Sequence, residues 1–421
     1  MLGQVIDWQF KSFPISHEPV RVSTVGDQGW NALEPPFQLP ILVVKDRALS
    51  HNIETMAGYA RARSVSLAPH AKTPLSPQIA ARQLAAGAWG LTVATVHQAR
   101  VLRSVGAQRL LLANEVVNQS SALWLAGELN EDPGLEMYCL VDSIQGARLL
   151  NRYLAGSDDD GPLRVLIELG MSEGRCGCRT VDEACELATT VAGLPRLRLV
   201  GVEGYEGVFH VGPVEGAIGR VDRFFDGLRE LANRLDSAGL FQEVQEILVS
   251  AGGSIWFDRA AAKLGEPWDL TRPVRTVIRA GSYVTHDAAE YERLSPLDGR
   301  ATGSQRLKQA LELWAEVISR PEPELAVLNF GKRDAAHDRG FPIPFIARTS
   351  KGDYPLNQTD HEIVVLNDQH ARMRLTTDSP LAVGDLVGSH VSHPCTSFDK
   401  WRLVPLVGDN YDVIGAIRSY L

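Results

Sequence analysis

The sequence lacks the long hydrophobic runs and the apolar leader that would direct a chain into or across a membrane. None of its 421 residues belongs to a stretch approaching the roughly 20 apolar residues that a membrane span requires. Residues Met1–Asp7 contain neither a basic region nor an apolar core, so no signal peptide is predicted. We therefore expect a cytoplasmic protein with no membrane partner.

The sequence also has few cysteines and no excess of positive charge. The formal net charge is −9, and the absence of a long basic run argues against nucleic acid as the main partner. The hydrophobic content of 44% and the charged content of 22% are typical of a globular chain with room for a large domain and a smaller one. The odd number of cysteines predicts reduced thiols, one of them a candidate ligand. The five cysteines are Cys139, Cys176, Cys178, Cys185 and Cys395.

The order of apolar runs predicts an α/β architecture. Residues 1–38 contain four prolines and are interpreted as an extension on the surface or at a subunit contact. A (β/α)₈ barrel is predicted over residues 39–300, with a doubly wound open sheet as the alternative. The eightfold count favours the barrel; the strand-like runs are Val65–Ala68, Trp89–Val93, Arg109–Ala113, Leu135–Val141, Leu163–Leu169, Leu197–Val202, Glu246–Ser250 and Arg275–Ala280.

The pattern changes in the last third of the chain. Ala310–Val317 places apolar side chains at every second position, which is typical of a β-strand. Further β-like runs follow at 324–330, 361–366, 385–391 and 401–407, without clear helices between them. Residues 301–421 are therefore predicted to form a mostly antiparallel β domain, with which the strand at 39–44 is a candidate to pack.

Lys72 is the first candidate for chemistry. It lies in the loop Pro69–Thr73, which follows the alternating strand Val65–Leu67. Ser76 and Pro77 are typical of a helix N-cap and first helical position. A lysine on such a strand-to-helix loop can meet a ligand; the alternative is a solvated surface lysine.

Glycine-rich turns follow the later strands of the predicted barrel. Ser250–Ser254 contains two adjacent glycines and precedes the short helical stretch Ile255–Lys263, and Ala280–Tyr283 follows the eighth strand. Barrels bind phosphate after strands seven and eight, where backbone N–H groups approach an anion. Together with Lys72, these turns predict pyridoxal phosphate held as a Schiff base.

The fifth strand end supplies a cation, Arg175. It is predicted to face the pyridine nitrogen of the cofactor or to position a carboxylate, with a solvent-facing loop arginine as the alternative. Cys176 and Cys178 lack a second pair at zinc-finger spacing and are interpreted as packing thiols.

A second candidate site is His393-Pro394-Cys395. In an extended stretch these two side chains would point to one face, and imidazole plus thiolate suits zinc. His361 and His370 lie in nearby polar clusters that are either turns or groups supporting the metal.

The motifs Pro69–Thr73, Glu203–Gly207, Ser250–Gly253 and His393–Thr396 together resemble one family. It is the D-serine dehydratase and D-threonine aldolase group of fold-type III pyridoxal-phosphate enzymes, related in fold to alanine racemase. The resemblance covers residues 39–421 and implies that Lys72 carries the cofactor. The candidate cofactor-binding residues are His70, Lys72, Arg175, Tyr205, Ser250, Gly252, Gly253, Gly281, Ser282 and Tyr283.

The same resemblance implies a divalent metal at His393 and Cys395, zinc first, with manganese and magnesium as alternatives. Aldolase members have His-x-Asp at this pair and dehydratase members have His-x-Cys, so the chain resembles a dehydratase, in particular the bacterial D-serine deaminase or amino-acid deaminase type. The stretch Asn329–Asp334 and the long amino-terminal extension depart from the eukaryotic pattern.

The expected reaction is the conversion of a D-3-hydroxy amino acid such as D-serine to a 2-oxo acid and ammonia. Retro-aldol cleavage to glycine and an aldehyde is the first alternative. A racemase, a non-catalytic carrier of the cofactor and a metal-only barrel hydrolase are less favoured. The resemblance also implies a homodimer in which one subunit supplies Lys72 and the other the metal pair.

Overall fold

The computed structural model describes residues 3–156, 161–210, 214–301 and 305–421. Its helices are α1 (Asp46–Ala62), α2 (Pro77–Ala85), α3 (Val96–Arg103), α4 (Gln119–Glu131), α5 (Ile144–Leu154), α6 (Val181–Ala192), α7 (Val214–Ser237), α8 (Phe257–Leu264), α9 (Glu290–Leu294) and α10 (Pro394–Phe398). Its strands are β1 (Val5–Ile6), β2 (Val20–Arg21), β3 (Ile41–Lys45), β4 (Ser66–Leu67), β5 (Leu91–Val93), β6 (Arg109–Glu115), β7 (Glu136–Val141), β8 (Leu163–Leu169), β9 (Leu197–Gly204), β10 (Ile247–Ala251), β11 (Val274–Ile278), β12 (Leu311–Glu322), β13 (Leu325–Leu328), β14 (Ile343–Thr349), β15 (Gly352–Pro355), β16 (Glu362–Leu366), β17 (Ala371–Arg374), β18 (Leu386–His390), β19 (Leu403–Val407) and β20 (Val413–Arg418).

The chain divides into two compact units, each assembled from separate segments. The first unit comprises Met1–Thr55, Thr73–Arg82 and Ser282–Leu421. The second comprises Met56–Lys72 and Gln83–Gly281. The domain boundaries at 38/39 and 300/301 stay predictions from the sequence.

The second unit contains the eight parallel strands expected from the sequence. They pair in the order β4-β11-β10-β9-β8-β7-β6-β5, and a parallel bridge between His70 and Thr92 joins the two ends of the curled sheet. The alternating strands and helices predicted for a barrel are therefore confirmed. Since the strands are parallel, their carboxyl ends all meet at one edge, where the functional loops gather.

Local sequence explains where several barrel helices begin. The side chains of Thr95, Asn118, Ser143 and Thr180 each precede a helix and accept a hydrogen bond from a backbone N–H of its first turn. These N-caps satisfy donors that the helix itself leaves unpaired, so they fix the point at which each loop ends. The carboxyl-end edge of the sheet is thereby joined to the helices by loops that end at defined residues.

The first unit is built on a mostly antiparallel sheet, as expected for the last third of the chain. β12 pairs with β3, β13 and β18, all antiparallel. β3, the strand considered as a packing partner of this region, pairs with both β12 and β19. Its expected association with the carboxyl-terminal strands is therefore confirmed.

The amino-terminal segment packs into the core of the first unit. Ile6, Phe13 and Trp30 are buried in one cluster with Trp314 and Val407. The interpretation of residues 1–38 as lying on the surface is wrong for these side chains, because they pack in one buried cluster with residues of the sheet. The alternative, a role at a subunit contact, stays a prediction. Among the described helices, none is both long enough and apolar enough to cross a membrane.

Candidate active site

A cavity of about 240 Å³ lies at the carboxyl ends of the barrel strands, within the second unit. Five of the predicted cofactor-binding residues line it: His70, Lys72, Arg175, Tyr205 and Gly253. Other residues around it are Ala94, Ala113, Asn114, Leu140, Glu168, Cys176, Glu203 and Arg279. Side chains far apart in sequence therefore converge on one small cavity.

The loop that carries Lys72 is held by backbone hydrogen bonds on both of its neighbouring strands. The N–H of Ala68 donates to the carbonyl of Ile278, and the N–H of Ala71 donates to the carbonyl of Thr92, both at 2.8–2.9 Å. Burial, followed by the positive charge of Lys72, lowers the pKa of His70 well below its usual value. His70 is thus a neutral imidazole beside the candidate amine, and its buried Nδ1 has no partner among the described residues.

Arg175 is placed by a loop that folds back on its own strand. The N–H of Cys178 donates to the carbonyl of Glu168, and the backbone at Gly177 has φ +98°. A Cβ at position 177 would lie 2.4 Å from the backbone N of Gly170, so this turn requires glycine. The guanidinium of Arg175 consequently lies over the ring of Tyr205, 4.0 Å from its centroid.

The Gly252–Gly253 turn holds a carboxylate of this chain. The N–H groups of Gly252 and Gly253 donate to the two carboxylate oxygens of Glu206, at 3.2 and 2.6 Å. Glu206 is fully buried, and burial raises the pKa of its carboxyl group. The turn is therefore suited to bind anionic oxygen, as the sequence indicated, but Glu206 occupies these two donors.

Replacing Glu206 by alanine is expected to lower the free energy of unfolding by about 2–4 kcal/mol. The change leaves the buried backbone donor of Gly252 and the partly buried one of Gly253 without their acceptor, and each such loss costs about 1–3 kcal/mol, the upper part of that range applying only to a buried donor. Urea denaturation of the variant measures the loss. Glu206→Gln keeps one acceptor oxygen and is the matched control, expected to lose less than half as much; equal losses in the two variants would contradict this role.

The other predicted cofactor contacts are not brought to the cavity wall. The hydroxyl of Ser250 donates to the carbonyl of Val277 inside the sheet. The N–H of Gly281 donates to Ser254 Oγ at 3.4 Å. Gly252 binds Glu206 as described, and Ser282 and Tyr283 belong to the first unit. Cofactor contacts from these positions stay predictions.

Three charged residues at the cavity were not predicted as site residues: Glu168, Arg279, and Glu203 at the start of the Glu203–Gly207 motif. Glu203 and Arg279 form a buried ion pair through Glu203 Oε1 and Arg279 Nη1. Arg279 also donates to the carbonyl of Gly204 at 3.0 Å, and burial lowers its pKa to about 10. Each of the three lies at the end of an apolar strand, which is the signal that could have identified them.

Burial, together with a hydrogen bond and repulsion from Glu115, raises the pKa of Glu168 well above its usual value. A carboxyl group of this kind contributes to stability fully below its unfolded pKa of about 4.3, and the contribution is lost as pH rises through the folded value. Glu168→Gln removes that loss, because an amide stays neutral at every pH. Protonation of Glu168 therefore stabilises the folded protein at low pH.

We expect Glu168→Gln to raise the free energy of unfolding at pH 8 by about 1–3 kcal/mol, since a tenfold change in the acidity of one group is worth about 1.4 kcal/mol. At pH 4 the two proteins should differ little. Denaturant titrations of the ligand-free protein at both pH values check the sign. Glu246→Gln, which removes a partly exposed partner of Arg275, is the control and should not become more stable at pH 8.

The predicted metal pair lies in the first unit. A hydrogen bond with Cys395, and then one with Asp338, raises the pKa of His393 to about 9 against the opposing effect of burial. His393 Nδ1 is 2.6 Å from Asp338 Oδ2, and Thr396 donates to Asp338 Oδ1 at 2.9 Å. Cys395 Sγ is 3.3 Å from the hydroxyl of Thr73, the residue after Lys72 in the chain.

Two local expectations about cysteines are wrong. His393 precedes helix α10 and Cys395 lies within its first turn, so the stretch is not extended. Their side chains are nevertheless brought together, because the turn allows a hydrogen bond between them.

The second expectation concerns Cys176 and Cys178. Cys176 is exposed and lines the cavity rather than packing in the core, whereas Cys178 is buried as expected. The ligand atoms of Cys176, Glu115 and Asp142 lie within 4.8 Å of one another.

Comparison with known families divides the chain into two matched regions. Residues 44–265 match the family described as "Alanine racemase, N-terminal domain". Residues 310–407 match the "Putative serine dehydratase domain". The first match includes Lys72 and the barrel strands from β4 to β10, and the second ends after the His393–Cys395 pair.

Three characterised or solved proteins are similar to the chain over much of its length. The 3-hydroxy-D-aspartate aldolase of Paracoccus denitrificans (strain Pd 1222) is 26% identical over 87% of this chain and 88% of its own. The D-threo-3-hydroxyaspartate dehydratase of Delftia sp. (strain HT23) is 29% identical over 59% of this chain and 61% of its own. The crystal structure of D-threonine aldolase from Filomicrobium marinum has a TM-score of 0.75 and 26% identity, covering 91% of this chain and 95% of that one.

Proposed function

The chain belongs to the alanine racemase N-terminal domain family, in the branch that carries a serine dehydratase domain, and from this we propose a metal-assisted dehydratase of D-3-hydroxy amino acids. A lyase or aldolase acting on D-3-hydroxy amino acids is supported by the names of its relatives. The observation that carries dehydration rather than aldol cleavage is the thiol of Cys395 paired with His393.

The cavity fits pyridoxal phosphate. The residues that line it include a lysine, two arginines, His70 and Glu203, and the buried atoms His70 Nδ1 and Glu203 Oε2 have no hydrogen-bond partner among the described residues. Lys72 would hold the cofactor aldehyde as a Schiff base. The N–H groups of Gly252 and Gly253 are occupied by Glu206, so they would bind the cofactor's phosphate only if that carboxylate moved away.

When bound, pyridoxal phosphate supplies a ring that withdraws the electrons left on Cα as a proton departs. Lys72 would accept that proton, because its amine lines the cavity and is the group proposed to hold the cofactor. The neutral ring of His70 does not compete for protons, because burial and the neighbouring cations hold it unprotonated. Arg175 is proposed to bind the substrate carboxylate, which a planar guanidinium can hold through two hydrogen bonds.

The departing group is hydroxide, which leaves poorly without help. The donor set of His393 and Cys395, one imidazole nitrogen and one thiolate sulfur, fits zinc and leaves ligand positions for oxygen. A zinc ion held there supplies a Lewis acid for charge that develops on the leaving oxygen. Asp338 holds the ring of His393 through Nδ1, which would leave Nε2 to face the metal.

Retro-aldol cleavage is the second candidate, because a full-length relative and a similar solved structure are both aldolases. The test is incubation of the purified protein with D-serine, D-threonine and D-threo-3-hydroxyaspartate, with and without chelator, followed by identification of products. We expect a 2-oxo acid and ammonia, with pyruvate from D-serine. Glycine together with an aldehyde would assign the aldolase reaction instead, and turnover of none of the three would overturn both.

We also propose a homodimer. The resemblance implies that Lys72 and the metal pair of one site come from different chains, whereas the 3.3 Å contact between Cys395 Sγ and the hydroxyl of Thr73, the residue after Lys72, lies within one chain. Mixing the inactive variants Lys72→Ala and Cys395→Ala tests this, because a mixed dimer with shared sites would contain one intact site and random 1:1 mixing would restore about a quarter of the activity; no recovery would assign Lys72 and the metal pair to one chain. An enzyme that is monomeric in solution and fully active would overturn the proposal.

A further inference from the structure

A second cavity of about 440 Å³, the amino-end cavity, lies where the barrel strands begin. All the residues that line it belong to the second unit, and the proposed reaction makes no use of them. Its volume falls within the range of small-molecule sites, about 300–1,000 Å³. Four arginines line it, at the amino ends of β6, β8, β9 and β11: Arg109, Arg164, Arg198 and Arg275.

The amino-end cavity and the candidate active site lie at opposite ends of the same barrel strands. Side chains alternate between the two faces of a strand, so residues an even number apart share a face. Arg164 and Glu168 of β8 are related in this way, as are Tyr138 and Leu140 of β7. Glu168 and Leu140 line the candidate active site, whereas Arg164 and Tyr138 line the amino-end cavity. The four residues from one cavity to the other along β8 span about 13 Å.

Two of the four arginines are neutralised by carboxylates of the cavity wall. Arg109 pairs with Glu136 through Nη2 and Oε1, and Arg275 Nε lies 2.6 Å from Glu246 Oε2. The hydroxyl of Tyr138 donates to the other oxygen of Glu136. Both oxygens of Glu136 are therefore already engaged, and this carboxylate is not free to neutralise a further guanidinium.

The other two arginines, Arg164 and Arg198, form no ion pair or hydrogen bond through their guanidinium groups with any residue that the structure describes. They are direct neighbours in the register of β8 and β9, so their Cα atoms lie about one strand spacing, roughly 4.8 Å, apart. Arg164 is half-buried, 5.8 Å from the centroid of the Tyr138 ring, and Arg198 is exposed. Like charges in adjacent register positions repel each other. The cavity wall thus contains two neighbouring positive charges without a counterion.

We propose that the amino-end cavity binds a small dianion, either a phosphoryl group or a pair of carboxylates, through Arg164 and Arg198. Each guanidinium is a planar fork of donors that matches the oxygens of phosphate or carboxylate. Two such forks one strand spacing apart can bind one dianionic group, whose charge would cancel the repulsion between them. Since Arg198 is exposed, a solute can reach the pair. The site does not depend on the proposed cofactor or metal.

Isothermal titration calorimetry tests the proposal on the full-length protein saturated with pyridoxal phosphate, at constant ionic strength. Inorganic phosphate and succinate are the two probes, titrated separately. We expect one dianion to bind per chain and the double variant Arg164→Gln, Arg198→Gln to weaken its dissociation constant at least about tenfold, the loss expected for one charge-assisted hydrogen bond. The control Arg148→Gln, Arg152→Gln removes the same charge from exposed positions on α5 and should bind within about twofold of the wild type.

The two probes distinguish the sources of the dianion. Binding of phosphate alone would assign a phosphoryl ligand, binding of succinate alone a dicarboxylate, and binding of both the shared chemistry. Binding of neither would overturn the proposal. Equal weakening by the two double variants would overturn it as well, because non-specific attraction to positive charge would then explain the binding.

Arg175→Gln separates this cavity from the candidate active site. It alters the candidate active site only and should keep the wild-type affinity for the dianion. A loss in Arg175→Gln with none in the Arg164 and Arg198 double variant would place the dianion in the candidate active site and overturn the inference. If the double variant does not fold, Arg198→Gln alone, which changes an exposed side chain, should show the tenfold loss.

Discussion

Product formation by Lys72→Ala is expected to fall at least about a thousandfold below that of the wild type. General-base catalysis alone contributes about 10²–10⁴-fold, and the same amine is proposed to hold the cofactor. Steady-state assays with D-serine measure the loss. Absorption spectra of the reconstituted protein should also lose the yellow band of a cofactor bound through lysine.

Lys263→Ala is the matched control for Lys72. Lys263 lies on α8 of the same unit, where its ammonium group pairs with Asp226 at 3.0 Å, away from the residues that line the cavity. This variant should keep both the yellow band and the activity. Full turnover by Lys72→Ala would contradict the proposed function, because no other lysine among the described residues lines the cavity and could hold the cofactor.

Loss of the metal pair should cost at least about a hundredfold in the rate of ammonia release. Either Cys395→Ala or His393→Ala removes a ligand from a two-ligand set, and the leaving hydroxide then lacks a cation to take its charge. Exhaustive chelation of the wild type should produce the same loss, and added zinc should reverse it. Chelation of Cys395→Ala should bring no further decrease, which separates the metal effect from simple misfolding.

Cys185→Ala is the control for the thiol. Cys185 is a partly exposed cysteine of α6 in the other unit, and its loss should leave the rate and the response to chelator unchanged. The cofactor absorption of Cys395→Ala should also match the wild type, since the two sets of ligands are separate. Full activity in a demetallated sample would remove the metal from the mechanism.

The sequence predicted the barrel because each strand is a short apolar run followed by a helix with its own start signal. Lys72, Arg175, Tyr205 and Gly253 were identified by the loop motifs that contain them, and the structure brings these residues to one cavity. Their roles stay proposals until the variants above are measured. The parts of the site that depend on local motifs were therefore accessible without coordinates.

The parts that depend on long-range packing were not. Glu206 and the Gly252–Gly253 turn are 46 residues apart, and no local pattern links a carboxylate to those amides. Arg279 and Glu203 are single charged residues at the ends of apolar strands. A charge at that position in the sequence can equally mark the end of a strand or a residue of the site, so their ion pair could not be predicted. The extended conformation assumed for His393–Cys395 overlooked Pro394, whose fixed φ favours the first position of a helix.

The position of β3 has a consequence for how the chain becomes native during synthesis. This strand leaves the ribosome early, yet both of its sheet neighbours, β12 and β19, are encoded some 270 residues or more downstream. Its backbone donors and acceptors must wait for those partners, and contacts of such sequence separation form slowly. Neither compact unit is one continuous segment of the chain. Expression of residues 56–281 alone would therefore include Thr73–Arg82, which belong to the other unit.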